Sequence, residues 1–194
     1  MSYHRDITLD SETAHPHLIL CEDLKTVEYT RISRDVSDNE NRFDHAVMVL
    51  GTQSFISGKH YWEVKVEENK EWSVGILADS VRRKGKISLS NKIRTLVGFK
   101  YRNNFFLWDS QHGFFESPPI HKLGIFLDFD QKHIIFYDIL DKSVIFSPLN
   151  IPFQGPLRPL FSPCCPDKKA IPKGPWSDQE MAIVSDDYGR LSIM

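Results

Sequence analysis

The chain has 194 residues, of which 24 are Lys or Arg and 26 Asp or Glu, for a formal net charge of −2. Its 41% hydrophobic and 12% aromatic content is enough to bury one substantial core. The charge balance leaves no overall field to draw the chain to nucleic acid or an anionic membrane, no apolar run reaches the length of a membrane span, and the polar start MSYHRD lacks the apolar stretch of a signal peptide. A soluble, cytoplasmic domain is expected.

Helical periodicity is scarce, whereas short apolar or alternating runs recur between turn signals, which argues an all-β sandwich or barrel. In chain order the runs predict strands over 18–21, 26–29, 46–50, 58–66, 72–78, 95–101, 104–108, 122–129, 133–139 and 144–146. In HYWEVKV, the period of two puts Trp62, Val64 and Val66 on a core face and Tyr61, Glu63 and Lys65 on the other, solvated or paired across strands. GIFLDFD and HIIFYDI read as a tight hairpin about Gln131 and Lys132, followed by a third strand across LDKS. These runs are apolar on both faces, as in strands covered on each side. The proline-rich SPLNIPFQGPLRPLFSP is expected to be loop or sheet edge, because proline has no N–H for a ladder. PDKKAIPKGPWSDQ reads as a surface excursion, MAIVS as a last strand that closes the sheet, and 186–194 as a C-terminal tail, with an ordered extension as the alternative.

The residue types that carry chemistry are sparse. Cys21, Cys164 and Cys165 make no framework of bridges, and His15, His17 and Cys21 do not add up to a metal site, so reduced thiols and no metal or cofactor are expected. No nucleophile motif or phosphate-cradling glycine loop is present. Asp128 and Asp130 resemble a carboxylate pair but sit where a hairpin turns, a place that favours aspartate. The chain is not read as an enzyme.

Several stretches in order, ITLDSETAHPHLIL, RFD and VLG, then SGKHYWEVKV, WSVGI, SVRRKG, GIFLDFD, FYDI and GPLRPLFSP, together resemble the PRY-SPRY (B30.2) domain of tripartite-motif ubiquitin ligases, ret-finger-protein-like proteins and butyrophilins. The resemblance implies a bent sandwich of two antiparallel sheets with a concanavalin-like jelly-roll topology. It divides the chain into a PRY segment over 1–55 and a SPRY segment over 56–185, folded as one domain, and it implies partner binding without catalysis. Two stretches depart from the family pattern: KIRTL stands where Gly-Phe-Trp-Thr is common, and LDFD where Leu-Asp-Tyr-Glu is common.

In 95–101, Thr95, Val97, Phe99 and Tyr101 share one face and Leu96 and Gly98 the other, and one of these faces is core. The resemblance implies that Leu96 points inward, which would leave Val97, Phe99 and Tyr101 as an exposed apolar stripe for anchoring a partner. The other reading makes Phe99 and Tyr101 part of the core. The family groove would gather Ser73, Val97, Phe99 and Phe153, so Ser73, Val97, Phe99, Tyr101 and Phe153 are the candidate partner-binding residues. From Arg82 to Leu107 no acid occurs, which suggests either edge-protecting charge or an anion site made by Lys92, Arg94, Lys100 and Arg102. The expected function is recognition of a protein partner, as the substrate-selecting domain of a tripartite-motif-type ligase. Butyrophilin-like sensing of a small phosphorylated ligand is the alternative, and a homodimer paired through an edge strand is the second.

Overall fold

The computed structural model describes residues 2–68, 70–87, 92–164 and 188–194. Among these residues two antiparallel sheets lie face to face. One contains seven strands in the order β1 (Leu18–Leu20), β2 (Thr26–Tyr29), β13 (Arg190–Ile193), β4 (Lys59–Val66), β9 (Lys122–Asp128), β10 (His133–Asp138) and β11 (Ser143–Asn150). The other has six, in the order β3 (Val49–Leu50), β12 (Leu157–Ser162), β5 (Trp72–Ala78), β6 (Ile93–Tyr101), β7 (Asn104–Asp109) and β8 (Gly113–Glu116).

The main core lies between the sheets and follows from alternation within each strand. From β4 it takes Trp62, Val64 and Val66, as the sequence implies, and from β9 Leu123, Ile125 and Leu127. The six-stranded sheet contributes Trp72, Val74, Ile76 and Leu96. On the reverse face of β4 the Tyr61 hydroxyl donates to Glu63 at 2.8 Å. The six-stranded sheet is also buried on its outer face. There Phe43, Ala46 and Met48 cover Leu50, Leu77, Ile93 and Leu160, and a further cluster forms around Val97, Phe99, Tyr101 and Trp108.

The first 55 residues supply strands to both sheets. Two arginines fix them. Arg42 Nη1 donates to the carbonyls of Ser11 and Ala14 at 2.9 and 2.8 Å, and Arg158 reaches from β12 to Asp10 Oδ2 at 2.8 Å and to the Gly51 carbonyl at 2.9 Å.

Three sequence readings need correction. The stretch expected to be loop contains β12, an interior strand between β3 and β5. Its proline is tolerated because Pro159 turns its ring nitrogen towards the β3 side, where the backbone there uses only its carbonyl, which accepts from Gly51 N at 2.8 Å. The end of the chain is not a tail: β13 lies between β2 and β4, with Leu191 opposite Val66 and Val27. MAIVS lies outside the described residues. The β9–β10 turn is longer than two residues, since His133 pairs with Asp128. Asp128 Oδ1 accepts from Asp130 N and Gln131 N at 2.9 and 3.1 Å, so this aspartate caps a turn and does not pair with Asp130.

His15 is buried, its Nδ1 accepting from His17 N at 3.0 Å, with the His17 ring stacked on it. Burial, reinforced by His17, holds its pKa down to about 4 from an ordinary 6.5. The folded state thus takes up this proton later than the unfolded chain, and stability is lost as pH falls from about 6.5 towards 4. Urea unfolding at pH 7 and pH 5 should show a drop to which His15 contributes up to about 2 kcal/mol, so that it is smaller in His15→Gln, with a remainder from His60, whose pKa burial also lowers. An equal drop in both proteins would refute the assignment.

Candidate functional site

β6 decides where most of the candidate residues go. Leu96 points into the main core, so Val97, Phe99 and Tyr101 emerge on the outer face, in the alternation the sequence implies. They are not an exposed stripe. Val97, Phe99 and Tyr101 are 3, 2 and 6% exposed, packed with Trp108, Phe106 and Phe114. Ser73 on β5 is opposite Val97 in the ladder and is itself fully buried. The strand is buried on both sides, which corrects the expectation of an open aromatic face.

Phe153 takes a different position. It follows β11, is half-buried, and packs against the main core on the other side of β6 from Phe99. The groove expected to gather Ser73, Val97, Phe99 and Phe153 is therefore split by the sheet itself. Arg94 is the residue that β6 sends to Phe153. It has the parity of Leu96, and its guanidinium lies over the Phe153 ring with Cζ 5.5 Å from the centroid. Two backbone acceptors hold it there, the Asn150 carbonyl at 2.7 Å from Nε and the Ile93 carbonyl at 2.8 Å from Nη1. Partial burial lowers the guanidinium pKa, and the group stays charged because its ordinary value is so high.

Beside this pair opens a cleft of about 380 Å³. Ile56, Phe129, Ile151 and Pro152 give it apolar walls, Gly155 a bare backbone edge, and Lys132 a second cation. Ile56 is 72% exposed, an apolar side chain held at the rim by the turn before β4. Ile56, Phe129 and Lys132 were missed in the sequence because Ile56 and Lys132 looked like ordinary turn residues and Phe129 like the end of a strand. The only signal was an isoleucine in the polar turn SFISGKH.

The basic residues do not form one anion cradle. Lys92 and Arg94 are at the start of β6 and Lys100 and Arg102 at its far end, so Arg94 and Lys100 are separated by roughly 20 Å of extended chain. Arg102 lies over the Tyr101 ring at 5.4 Å, in the β6–β7 turn. SVRRKG is structural, as its turn character suggests. Arg83 is buried and donates to Asp79 Oδ1 at 3.0 Å and to the carbonyls of Val81 and Asn41, and Lys84 reaches Asp38 at 2.6 Å. Among the described residues no group of three His, Cys, Asp or Glu side chains could hold a metal ion, Cys21 is a free thiol, and no helix is long and apolar enough to cross a membrane.

Comparison with known proteins agrees with this architecture. The SPRY-associated domain, PRY, matches residues 7–55, and the SPRY domain matches residues 59–171. The chain is 45% identical over 169 residues to a mouse protein described as probable E3 ubiquitin-protein ligase TRIML1, covering 86% of this chain and 36% of that one. It is 43% identical over 166 residues to the mouse erythroid membrane-associated protein, covering 84% and 29%. The chain thus spans about a third of the length of these relatives. Its fold matches the crystal structure of the TRIM65 PSpry domain with a TM-score of 0.69 at 21% identity, covering 100% of this chain and 91% of that one. With two antiparallel sheets built from a PRY half and a SPRY half in family order, the chain belongs to the PRY-SPRY (B30.2) family.

Proposed function

We propose that the chain recognises a protein partner at the Phe153 cleft, as the substrate-selecting module of a tripartite-motif-type E3 ligase. The observation that carries this reading is Phe153 itself: a half-buried aromatic, fixed between the core and an arginine, at the edge of an open cleft whose rim carries an exposed isoleucine. A rigid aromatic and an arginine side by side are the residue types that dominate binding energy at interfaces, because they bury large areas with little entropy left to lose. Similarity to a probable ubiquitin ligase supports the wider role, in which other parts of a longer protein would carry out the ubiquitin chemistry. A cytoplasmic location goes with it. The four basic residues lie too far apart to hold one phosphoryl group together, so the phosphorylated-ligand alternative is not favoured.

Proteins captured by the chain and identified by mass spectrometry should include one whose binding falls by about 1–3 kcal/mol with Phe153→Ala and with Ile56→Ser. Ile56 is the cleaner position, because its exposure leaves little stability to lose. Retention of every captured protein by both variants would reject the cleft. Amide shifts from pyrophosphate over 92–102 would favour the phosphoryl alternative, and a mass that rises with concentration in light scattering would favour the homodimer.

A further inference from the structure

β10 runs from the Phe153 cleft, beside Lys132, to Asp138, and at that far end a second depression opens. The two sites are separated by the length of the strand, roughly 20 Å. Here both sheets stop side by side: β8 is the last strand of one and β11 of the other. The groove between them has a volume of about 640 Å³. Its floor is core, with Leu107, Ile120 and Ile145 only 2, 2 and 9% exposed, while its walls are Phe115, Leu140 and Val144, at 54, 60 and 47%. Three large apolar side chains left in water around one groove are a feature of interaction surfaces, whereas scattered single ones need no explanation.

The backbone adds a second observation. Between the pairs Phe136↔Ile145 and Ile134↔Leu149 the register of β11 shifts, and Phe146 in that bulge has a φ of 59°, a left-handed conformation uncommon for a phenylalanine. The bulge sends the Phe146 ring to the groove wall. There it stacks on His112 at 4.9 Å and meets the edge of Phe115 at 5.5 Å. His112 is itself fixed between the Asp109 carboxylate at 2.9 Å and Ser147 Oγ at 2.7 Å, so the wall is held in place before anything binds.

The charge of the lining selects the occupant. Asp138 and Asp141 stand at the hairpin end, and among the described residues that line the groove His121 is the one basic group, with no lysine or arginine. This is the opposite of the Phe153 cleft, which is lined by Lys132 and has Arg94 over its Phe153 ring. We propose that the groove is a separate docking site for an extended, basic and apolar segment of a partner protein. Alternate side chains of an extended segment point the same way, so two apolar ones fit the floor over Ile120 and Ile145 while a lysine or arginine reaches the carboxylates of Asp138 and Asp141.

The test uses the full chain and two fluorescein-labelled hexapeptides, Leu-Lys-Phe-Arg-Leu-Lys and Leu-Glu-Phe-Glu-Leu-Glu, followed by fluorescence anisotropy. The basic peptide should bind at least about tenfold more tightly than the acidic one, and this preference should shrink with added salt. Leu140→Ser combined with Val144→Ser should weaken the basic peptide by about tenfold or more, with the melting temperature kept because both positions are exposed. Asp138→Asn with Asp141→Asn should remove most of the preference for positive charge, and bound peptide should shift the amides of Leu107, Ile120 and Ile145. Equal affinity for the two peptides, an unaffected double serine variant, or shifts confined to 151–155 would each overturn the proposal. So would a dimer that Phe115→Ser converts to monomer, since the groove would then belong to a second copy of this chain.

Discussion

Replacing Trp62 with alanine should lower the free energy of unfolding by about 3–5 kcal/mol, measured by urea denaturation at pH 7. Trp62 is fully buried on β4, an interior strand with β13 on one side and β9 on the other, and it lies opposite Ile125 in the ladder. Phe55 stacks near it at 6.1 Å, which brings the loop before β4 into the same cluster. Its neighbours belong to strands fixed on both sides, so the space left by the indole cannot collapse cheaply, and the cost sits towards the upper end of the range for aromatic truncation. The indole N–H has no acceptor among the described residues, so the contribution of this side chain is packing and not hydrogen bonding. Trp62→Phe should therefore cost much less, about 1–2 kcal/mol. A loss below about 1 kcal/mol for Trp62→Ala would mean that the sheets are not packed through this residue.

The β body was readable because its strands are short apolar or alternating runs set between turn signals. The runs at 26–29 and 72–78 coincide with β2 and β5, and the core face of HYWEVKV follows from its period of two. β8 was missed since GFFE is four residues long with no alternation, and β12 because prolines hid a strand whose one interior proline sits at a position that needs no donor. The site was harder to read. Alternation separates Leu96 from Val97 and Phe99, but it cannot say whether the outer face is covered, and that depends on residues distant in sequence. The same alternation does place Arg94 with Leu96. The link from Arg94 to Phe153, across 59 residues of chain, depends on where β11 ends, and a bulge without sequence signature decides that. A practical consequence concerns Phe99: at 2% exposed it belongs with the packing residues, and its removal reports on stability and not on partner binding.

Gly98→Ala should also be strongly destabilising, although it adds one methyl group to an interior strand. Gly98 lies between Trp72 on β5 and Leu107 on β7 and shares the core-facing side of β6 with Leu96. Its φ is not in the left-handed range, so the reason for glycine here is space and not conformation. A Cβ at this position would come closer than 3.0 Å to Cε2 and Cζ2 of the Trp72 indole and 2.8 Å from Phe105 Cζ. Both rings are buried and near each other, with centroids 6.3 Å apart, so neither can move without displacing further core. Overpacking of this kind costs about 1–3 kcal/mol for alanine, and Gly98→Val should exceed that or prevent folding. A second substitution separates space from any effect on strand propensity. If the indole is the obstacle, Trp72→Leu and Gly98→Ala together should cost less than the sum of the two alone, by about 1 kcal/mol or more in a double-mutant cycle. Simple additivity would place the strain elsewhere. At Gly113, by contrast, a Cβ would meet nothing within 4 Å and φ is +77°, so alanine there should cost only the left-handed penalty of about 1–2 kcal/mol, with no rescue by any neighbour. The two glycines thus distinguish the two ways in which a β-sandwich can require the residue: one leaves room for a tryptophan across the ladder, and the other bends the chain.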